Sequence, residues 1–294
     1  MFAQRRLVTS LRAARHFSAS ARSSLDLAHQ VFQNPQAAES NGRPIIFIHG
    51  LFGSKQNNRG MSKVLASQLG TTVYAIDLRN HGDSPHVPEH NYDVMADDVE
   101  NFIKNRNLEK PVLLGHSMGA KAAMHLALRA PDLISAIISV DNSPNKTKLS
   151  ERFPAYIKSM QEIENAGVTK QSEADEILRR VEPSLPIRQF LLTNLARDQS
   201  GQALRFRIPL AILGESLPLL GDFPFTQSDT VQFSGPALFL RGTRSRYITD
   251  KSFPTIRRFF PNYKVMDIDA GHWLISENPE AFKTAVVNFM NSLD

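Results

Sequence analysis

Ser117 stands at the centre of Gly115-His116-Ser117-Met118-Gly119, a G-x-S-x-G sequence that follows an apolar run at 111–114 and precedes a helical pattern at 120–129. A sharp strand-to-helix turn strains its central residue and brings neighbouring backbone too close for a Cβ, which is why glycine is needed on both sides. Such a turn would lift the serine hydroxyl clear of a sheet, with a helix N-terminus directed at it. The chemistry implied is nucleophilic attack by a serine on an acyl carbon. A hydroxyl is a poor nucleophile near neutral pH, so a base must accompany it.

His272 is the candidate base. It lies in Asp269-Ala270-Gly271-His272-Trp273, just beyond the last apolar strand pattern. In a doubly wound sheet the carboxyl ends of the strands share one rim, which would bring His272 to Ser117 across 155 positions of sequence. It would take the serine proton and later deliver it to the leaving group. The orienting acid is less plainly marked. The loop after the next-to-last strand, Arg241-Gly242-Thr243-Arg244-Ser245-Arg246, carries no carboxylate before Asp250. Asp141, in Val140-Asp141-Asn142-Ser143-Pro144, ends the strand that follows the nucleophile and preserves the order Ser…Asp…His. Asp141 is the favoured acid, with Asp250 and Asp222 as alternatives; helix capping would be the structural role for Asp141.

Acyl transfer develops negative charge on a carbonyl oxygen, which backbone N–H donors must meet. His49-Gly50-Leu51-Phe52-Gly53 ends the first core strand, and the amides of Leu51 and Met118 are the expected donors. Asp77-Leu78-Arg79-Asn80-His81-Gly82-Asp83-Ser84 is expected to be structural: Asp77 and Arg79 pair or bind loop backbone, and Gly82 permits the turn. A metal site built from His49, His81 and His116 is disfavoured, because each histidine is better explained by its own loop. Trp273 reads as rim packing and Lys121 as a solvated helix charge.

The elements needed to position these groups are legible as short apolar runs alternating with helical patterns. Strands are expected at 45–48, 72–76, 111–114, 134–140, 237–240 and 265–268. Helices are expected near 61–69, over a stripe from Tyr92 to Ile103, and at 120–129, 253–260 and 279–293. Continuous apolar strands between amphipathic helices indicate an α/β fold with a mostly parallel, doubly wound sheet covered on both faces. Between 144 and 234 the rhythm breaks into helical stripes, Phe153, Tyr156, Ile157, Met160 and Ile163 in one, Ile187, Phe190, Leu191 and Leu195 in another. These imply a helical cap inserted into a core formed by 43–143 and 235–294.

Composition narrows the function classes. The 294 residues include no cysteine, which removes disulfides, thiolate metal sites and a cysteine nucleophile. No apolar run approaches ~18 residues, so a transmembrane segment is not expected. Net charge is +5, and Arg5, Arg6, Arg12, Arg15 and Arg22 account for all of it. The remainder is balanced, which argues against nucleic-acid binding, where the basic excess should lie on the fold. Residues 1–24 are Arg-, Ser- and Ala-rich and free of acids, with Leu7, Leu11 and Ala14 on one helical face. That is the composition of a mitochondrial transit peptide, recognised by the import machinery, and it places the protein in mitochondria, in the matrix.

Taken together, HGLFGS at 49–54, DLRNHGDS at 77–84, GHSMGAK at 115–121, VDNSP at 140–144 and AGHW at 270–273 resemble the α/β-hydrolase superfamily over residues 43–294. HGLFGSKQN, RNHGDS and Gly221-Asp222-Phe223-Pro224 are similar to the mitochondrial abhydrolase branch that includes ethanol acetyltransferase. The branch's catalytic triad falls on Ser117, Asp141 and His272. The resemblance implies an acyl-serine intermediate formed from acetyl-CoA or an ester, with no bound cofactor or metal. Alcohol would then yield an ester and water an acid, so small-molecule esters, thioesters and alcohols are the expected partners. Ala120 replaces the commoner glycine of GHSMGG, and Ser245 stands where the acid more often lies. A serine at position 117 excludes the dehalogenase and epoxide-hydrolase chemistries, which need aspartate there. An ester or thioester hydrolase without a transferase role, and a binding scaffold with no catalysis, are the competing readings.

Overall fold

A computed structural model describes residues 25–34, 42–198, 201–226 and 228–293. The expected transit peptide, 1–24, lies outside the described residues. A seven-stranded sheet runs β1 (His29–Phe32), β3 (Val73–Ile76), β2 (Ile45–Ile48), β4 (Val112–His116), β5 (Ala136–Val140), β8 (Ala237–Gly242), β9 (Tyr263–Ile268). All neighbours are parallel except β1, which lies antiparallel on β3. β1 escapes sequence reading because His-Gln-Val-Phe is short, half polar and confined to an edge.

Every residue of β2, β4 and β5 is buried, as a sheet covered on both faces requires. Alternate side chains go to opposite layers. Ile46, Ile48, Leu113 and Ile137 join one core with α2 (Tyr92–Asn105) and α3 (Met118–Arg129). Ile45, Phe47, Val112, Leu114 and Ile138 join the other, against α1 (Lys55–Leu69) and α10 (Pro279–Asn291). α1 begins six residues before the apolar stripe suggested. Its polar first turns are stabilised at Ser54, whose N–H donates to the Asn57 side chain (2.7 Å), and at Lys55, whose N–H donates to Asp77 (2.6 Å).

The chain leaves the sheet after β5 and returns at β8. In between it forms α4 (Arg152–Asn165), α5 (Gln171–Arg179), α6 (Leu185–Leu192) and α7 (Leu210–Leu220). A two-stranded antiparallel hairpin, β6 (Leu195–Arg197) with β7 (Leu204–Phe206), sits among these helices. Three-residue strands carry too little alternation to be read from sequence. The chain closes with α8 (Phe253–Phe259) between β8 and β9, and the single turn α9 (Leu274–Glu277) before α10.

One sequence expectation needs correction, and another is met in one of its two forms. Lys121 is not a solvated charge but 1% exposed. α3 is buried on nearly every face, so a lysine there has no route to water. Its Nζ instead donates to the carbonyls of Gly221 (3.2 Å) and Asp222 (2.9 Å), and the Tyr92 hydroxyl donates to Leu220 O (2.8 Å). These donors satisfy carbonyls at the end of α7 that the helix leaves unpaired. Burial lowers the Lys121 ammonium to about 8. Of the two roles expected for Asp77 and Arg79, binding loop backbone is the one observed, Arg79 donating to Glu89 O (3.2 Å) and Asp77 accepting from the loop, and the two do not pair with each other. Asp77 binds Lys55 Nζ (2.5 Å) and the Asp83 N–H (2.9 Å), while Arg79 forms a two-pronged ion pair with Asp98 (2.6 and 2.7 Å).

Asp98 is fully buried beneath that guanidinium. Removing one member of such a pair strands the other charge out of water. Asp98→Ala should therefore lower the unfolding free energy by about 3–5 kcal/mol, read from urea denaturation.

Candidate active site

The rim at the carboxyl ends of the strands concentrates backbone strain. Phe52, Asn80, Ser117 and Asp141 follow β2, β3, β4 and β5, and all four non-glycine residues have positive φ, 63°, 64°, 53° and 49°. A non-glycine residue in such a sparsely populated region costs of order 1–3 kcal/mol, less for Asn and Asp, and clusters of this kind belong to sites where position outweighs stability. At Ser117 the turn depends on its glycines. A Cβ on Gly115 would enter the Gly119 carbonyl, and one on Gly119 would enter the carbonyls of Ile48 and His49. The Ser117 N–H donates to Val140 O (3.0 Å), and Asn142 Nδ2 donates to Ser117 O (3.0 Å), fixing the turn against the end of β5.

The structure brings Ser117, His272 and Asp141 into one hydrogen-bonded chain. His272 Nε2 lies 2.9 Å from Ser117 Oγ, and His272 Nδ1 lies 2.7 Å from Asp141 Oδ2. A carboxylate only accepts, so the imidazole proton sits on Nδ1 and leaves Nε2 free to receive one from the serine. Asp141 is fully buried and accepts two further hydrogen bonds, from the Gly242 N–H (3.1 Å) and the Ser245 hydroxyl. The end of β8 and the loop after it, which carries no acid before Asp250, thus supply donors to the carboxylate that follows β5. The alternatives lie elsewhere: Asp250 accepts from Arg241 (2.8 Å), and Asp222 pairs with Lys146 (3.2 Å).

The His272 ring is held on several sides. Tyr247 stacks on it at 4.2 Å and 25°, and Trp273 meets it edge-on at 5.8 Å. His116 Nε2–H donates to the His272 carbonyl (2.8 Å). No sequence signal marked Tyr247, Asn142 or this use of His116, since each acts through a tertiary contact.

The Leu51 amide is oriented by its neighbours. The Gly50 carbonyl accepts from His49 Nδ1–H (2.8 Å) and from the Gly53 N–H (2.9 Å). A trans peptide is planar, so the Leu51 N–H points opposite to that carbonyl. Gly50 packs against Ser117, since a Cβ at 50 would lie 3.3 Å from the Ser117 Cβ. Met118 opens α3, where an amide has no intrahelical acceptor. Among the described residues neither amide has a protein acceptor, so both are available to a ligand oxygen.

His49 and His81 do not converge on an ion. His49 Nε2 accepts from the Leu78 N–H (3.0 Å). His81 donates from Nδ1 to Arg79 O (3.0 Å) and accepts at Nε2 from the Phe52 N–H (3.1 Å). Burial holds both imidazoles below their ordinary range, His81 well below it, so they are neutral struts between the loops after β2 and β3.

A cavity of about 700 Å³ opens onto His272, walled by Phe153, Tyr156, Ser245, Tyr247 and Trp273. On the other side of Trp273 lies a mainly apolar groove of about 800 Å³, bounded by Gly50, His116, Ile187 and Phe190.

The family model for the alpha/beta hydrolase fold matches residues 43–279. The chain belongs to the α/β-hydrolase family. The hydrolase is 39% identical to the "Probable alcohol acetyltransferase" of Saccharomyces cerevisiae, over 90% of this chain and 83% of that protein. It is 38% identical to "sn-1-specific diacylglycerol lipase ABHD11" of Danio rerio, over 91% of this chain and 83% of that protein. Among solved structures, a "Marine microorganism esterase" superposes with a TM-score of 0.82 at 34% identity, covering 90% of this chain and all of that one.

His116 gives this α/β-hydrolase a pH signature. Burial first, and the neighbouring His272 second, lower its imidazole from 6.5 to about 4. The folded state therefore binds fewer protons than the unfolded chain between those values, and stability falls as pH drops from about 6.5 towards about 4. His116→Gln should flatten that slope by one proton, measured by urea unfolding across the same range.

Proposed function

We propose that this hydrolase is a serine esterase and acyltransferase working through an acyl-serine intermediate. Ser117 is the nucleophile, His272 the general base and acid, and Asp141 the orienting carboxylate. The amides of Leu51 and Met118 form the oxyanion hole. The observation that carries the reading is the continuous chain from Ser117 Oγ through His272 to Asp141, at 2.9 and 2.7 Å.

In this mechanism His272 Nε2 takes the proton from Ser117 Oγ as the oxygen attacks the acyl carbon of an ester or thioester. The imidazolium that forms is stabilised by the buried Asp141. Charge on the former carbonyl oxygen falls between the two amides, one of them at the N-terminus of α3, where the helix dipole adds to its pull. His272 then protonates the leaving alcohol or thiol. In the second half-reaction the same nitrogen deprotonates an acceptor. Alcohol gives an ester and regenerates Ser117; water gives an acid. Acetyl-CoA serves here as an acyl donor, a substrate rather than a resident cofactor.

The likeness to an alcohol acetyltransferase supports the transfer branch. The cavity and groove, about 700 and 800 Å³, favour a second use. Both leave room for esters with longer apolar chains, and the mainly apolar groove suits them. The basic, acid-free segment at 1–24 supports delivery to the mitochondrial matrix through the import machinery.

A fluorophosphonate probe should label the folded protein and fail to label Ser117→Ala; absence of wild-type labelling would sink the reading. Asp141→Asn should lower kcat for p-nitrophenyl acetate by about 10,000-fold while the protein stays folded, because the imidazole then adopts the wrong tautomer. Incubating the protein with acetyl-CoA, with and without ethanol, and measuring ethyl acetate against acetate apportions transfer and hydrolysis.

A further inference from the structure

Two of the backbone groups flanking the Leu51 amide are held by partners within the core: Gly50 O by His49 and the Gly53 N–H, and Phe52 N by His81. The third, Phe52 O, is held from the cap. Asn194, in the turn between α6 and β6, donates from Nδ2 to the Phe52 carbonyl at 2.7 Å across 142 positions of sequence. Asn194 is itself 4% exposed and fixed at both ends. Its Nδ2 also donates to Leu191 O (3.3 Å), and its main-chain carbonyl accepts the N–H of Arg207, just past β7. Phe52 needs such restraint, because φ of 63° is unfavourable for a residue with a Cβ. Its buried ring also meets the cap, 6.0 Å from Phe153 of α4.

We propose that Asn194 is a positioning residue for the oxyanion hole, so that the Leu51 amide is aimed at the acyl oxygen only when the cap hairpin is seated on the core. The inference rests on the acyl-serine reading and adds a control to that site. With Asn194 in place the Phe52 peptide is locked between cap and core, and the left-handed turn holds. Without its donor the Phe52 carbonyl is left unsatisfied in a buried setting, and the turn can relax towards a commoner φ. The Leu51 amide, one peptide away, then loses its alignment. Ground-state binding in the cavity beside His272 does not involve this bond. The loss therefore falls on the transition state.

The test uses the full chain and p-nitrophenyl acetate. Asn194→Ala removes the donor. Asn194→Asp keeps the shape but sets a carboxylate against the Phe52 carbonyl. Arg207→Ala keeps the main-chain N–H that Asn194 O accepts but breaks a different and exposed cap-to-core contact, the side-chain ion pair to Asp83 at 3.0 Å, and should leave kcat unchanged. Removing an oxyanion donor outright costs about 100- to 1,000-fold in kcat. Misaiming one should cost less, roughly 10- to 100-fold, with KM within about twofold. The inhibition constant of an alkyl trifluoromethyl ketone, which forms a tetrahedral oxyanion adduct on a serine, should rise in parallel with the loss of kcat. An unchanged kcat, a change confined to KM, or an equal loss in Arg207→Ala would overturn the proposal. So would failure of both Asn194 variants to fold, which would make the residue purely structural. If wild-type protein neither hydrolyses the ester nor takes up a fluorophosphonate, the acyl-serine reading itself fails. If the wild type does both and the Asn194 variants match it, only the clamp is lost.

Discussion

Backbone passing through space that a single methyl group would fill is the constraint on which the site depends. At Gly115 and Gly119 the strand-to-helix turn has no room for a side chain. The reward is a serine with positive φ whose hydroxyl stands free above the sheet at the mouth of α3. The strain is spread along the rim: the loops after β2, β3, β4 and β5 each hold a non-glycine residue in the left-handed region. Four such turns are sustained because the strands beneath them, fully buried in β2, β4 and β5 and buried but for Tyr74 in β3, are paired on both sides, so the sheet cannot relax to relieve its ends.

The same rim explains how polar groups survive so far from water. Asp141, His81, His49 and Lys121 are all buried, yet each is met by donors or acceptors from another segment. Neutral imidazoles join the loops after β2 and β3 without introducing charge, while the one carboxylate against His272 also receives hydrogen bonds from Gly242 at the end of β8 and from Ser245 just beyond it. The electrostatic design separates two tasks. Neutral groups fix the geometry of the loops after β2 and β3, and in the proposed mechanism the carboxylate is kept for the imidazole that must become positive.

Much of this was legible in the sequence, for identifiable reasons. Ile45–Ile48, Val112–His116 and Ala136–Val140 are buried on both faces, so their composition alone marks them as strands of a covered parallel sheet. Glycines at fixed spacing reported the turn at Ser117, and chain order narrowed the acid. Other features rest on contacts without local signature. β1 and the cap hairpin are too short to carry a period. The environment of Lys121 depends on where α7 lands, and helical periodicity describes only one face of α3. Asp77 and Arg79 have partners in α1 and α2, so their loop could suggest pairing but could not reveal with whom. Asn194 looks like any turn asparagine until the cap is placed over Phe52.

Chain order has a temporal consequence. The imidazole is encoded 131 residues after the acid and 155 after the hydroxyl, with the whole cap in between. During ribosomal synthesis at about 5–20 residues per second, the segment bearing Ser117 precedes its base by roughly ten seconds or more. On the proposed reading of the site, the nascent polypeptide throughout that interval holds a serine hydroxyl without its base. Reactivity is thereby deferred until the insertion has been made and the last strands can close the sheet.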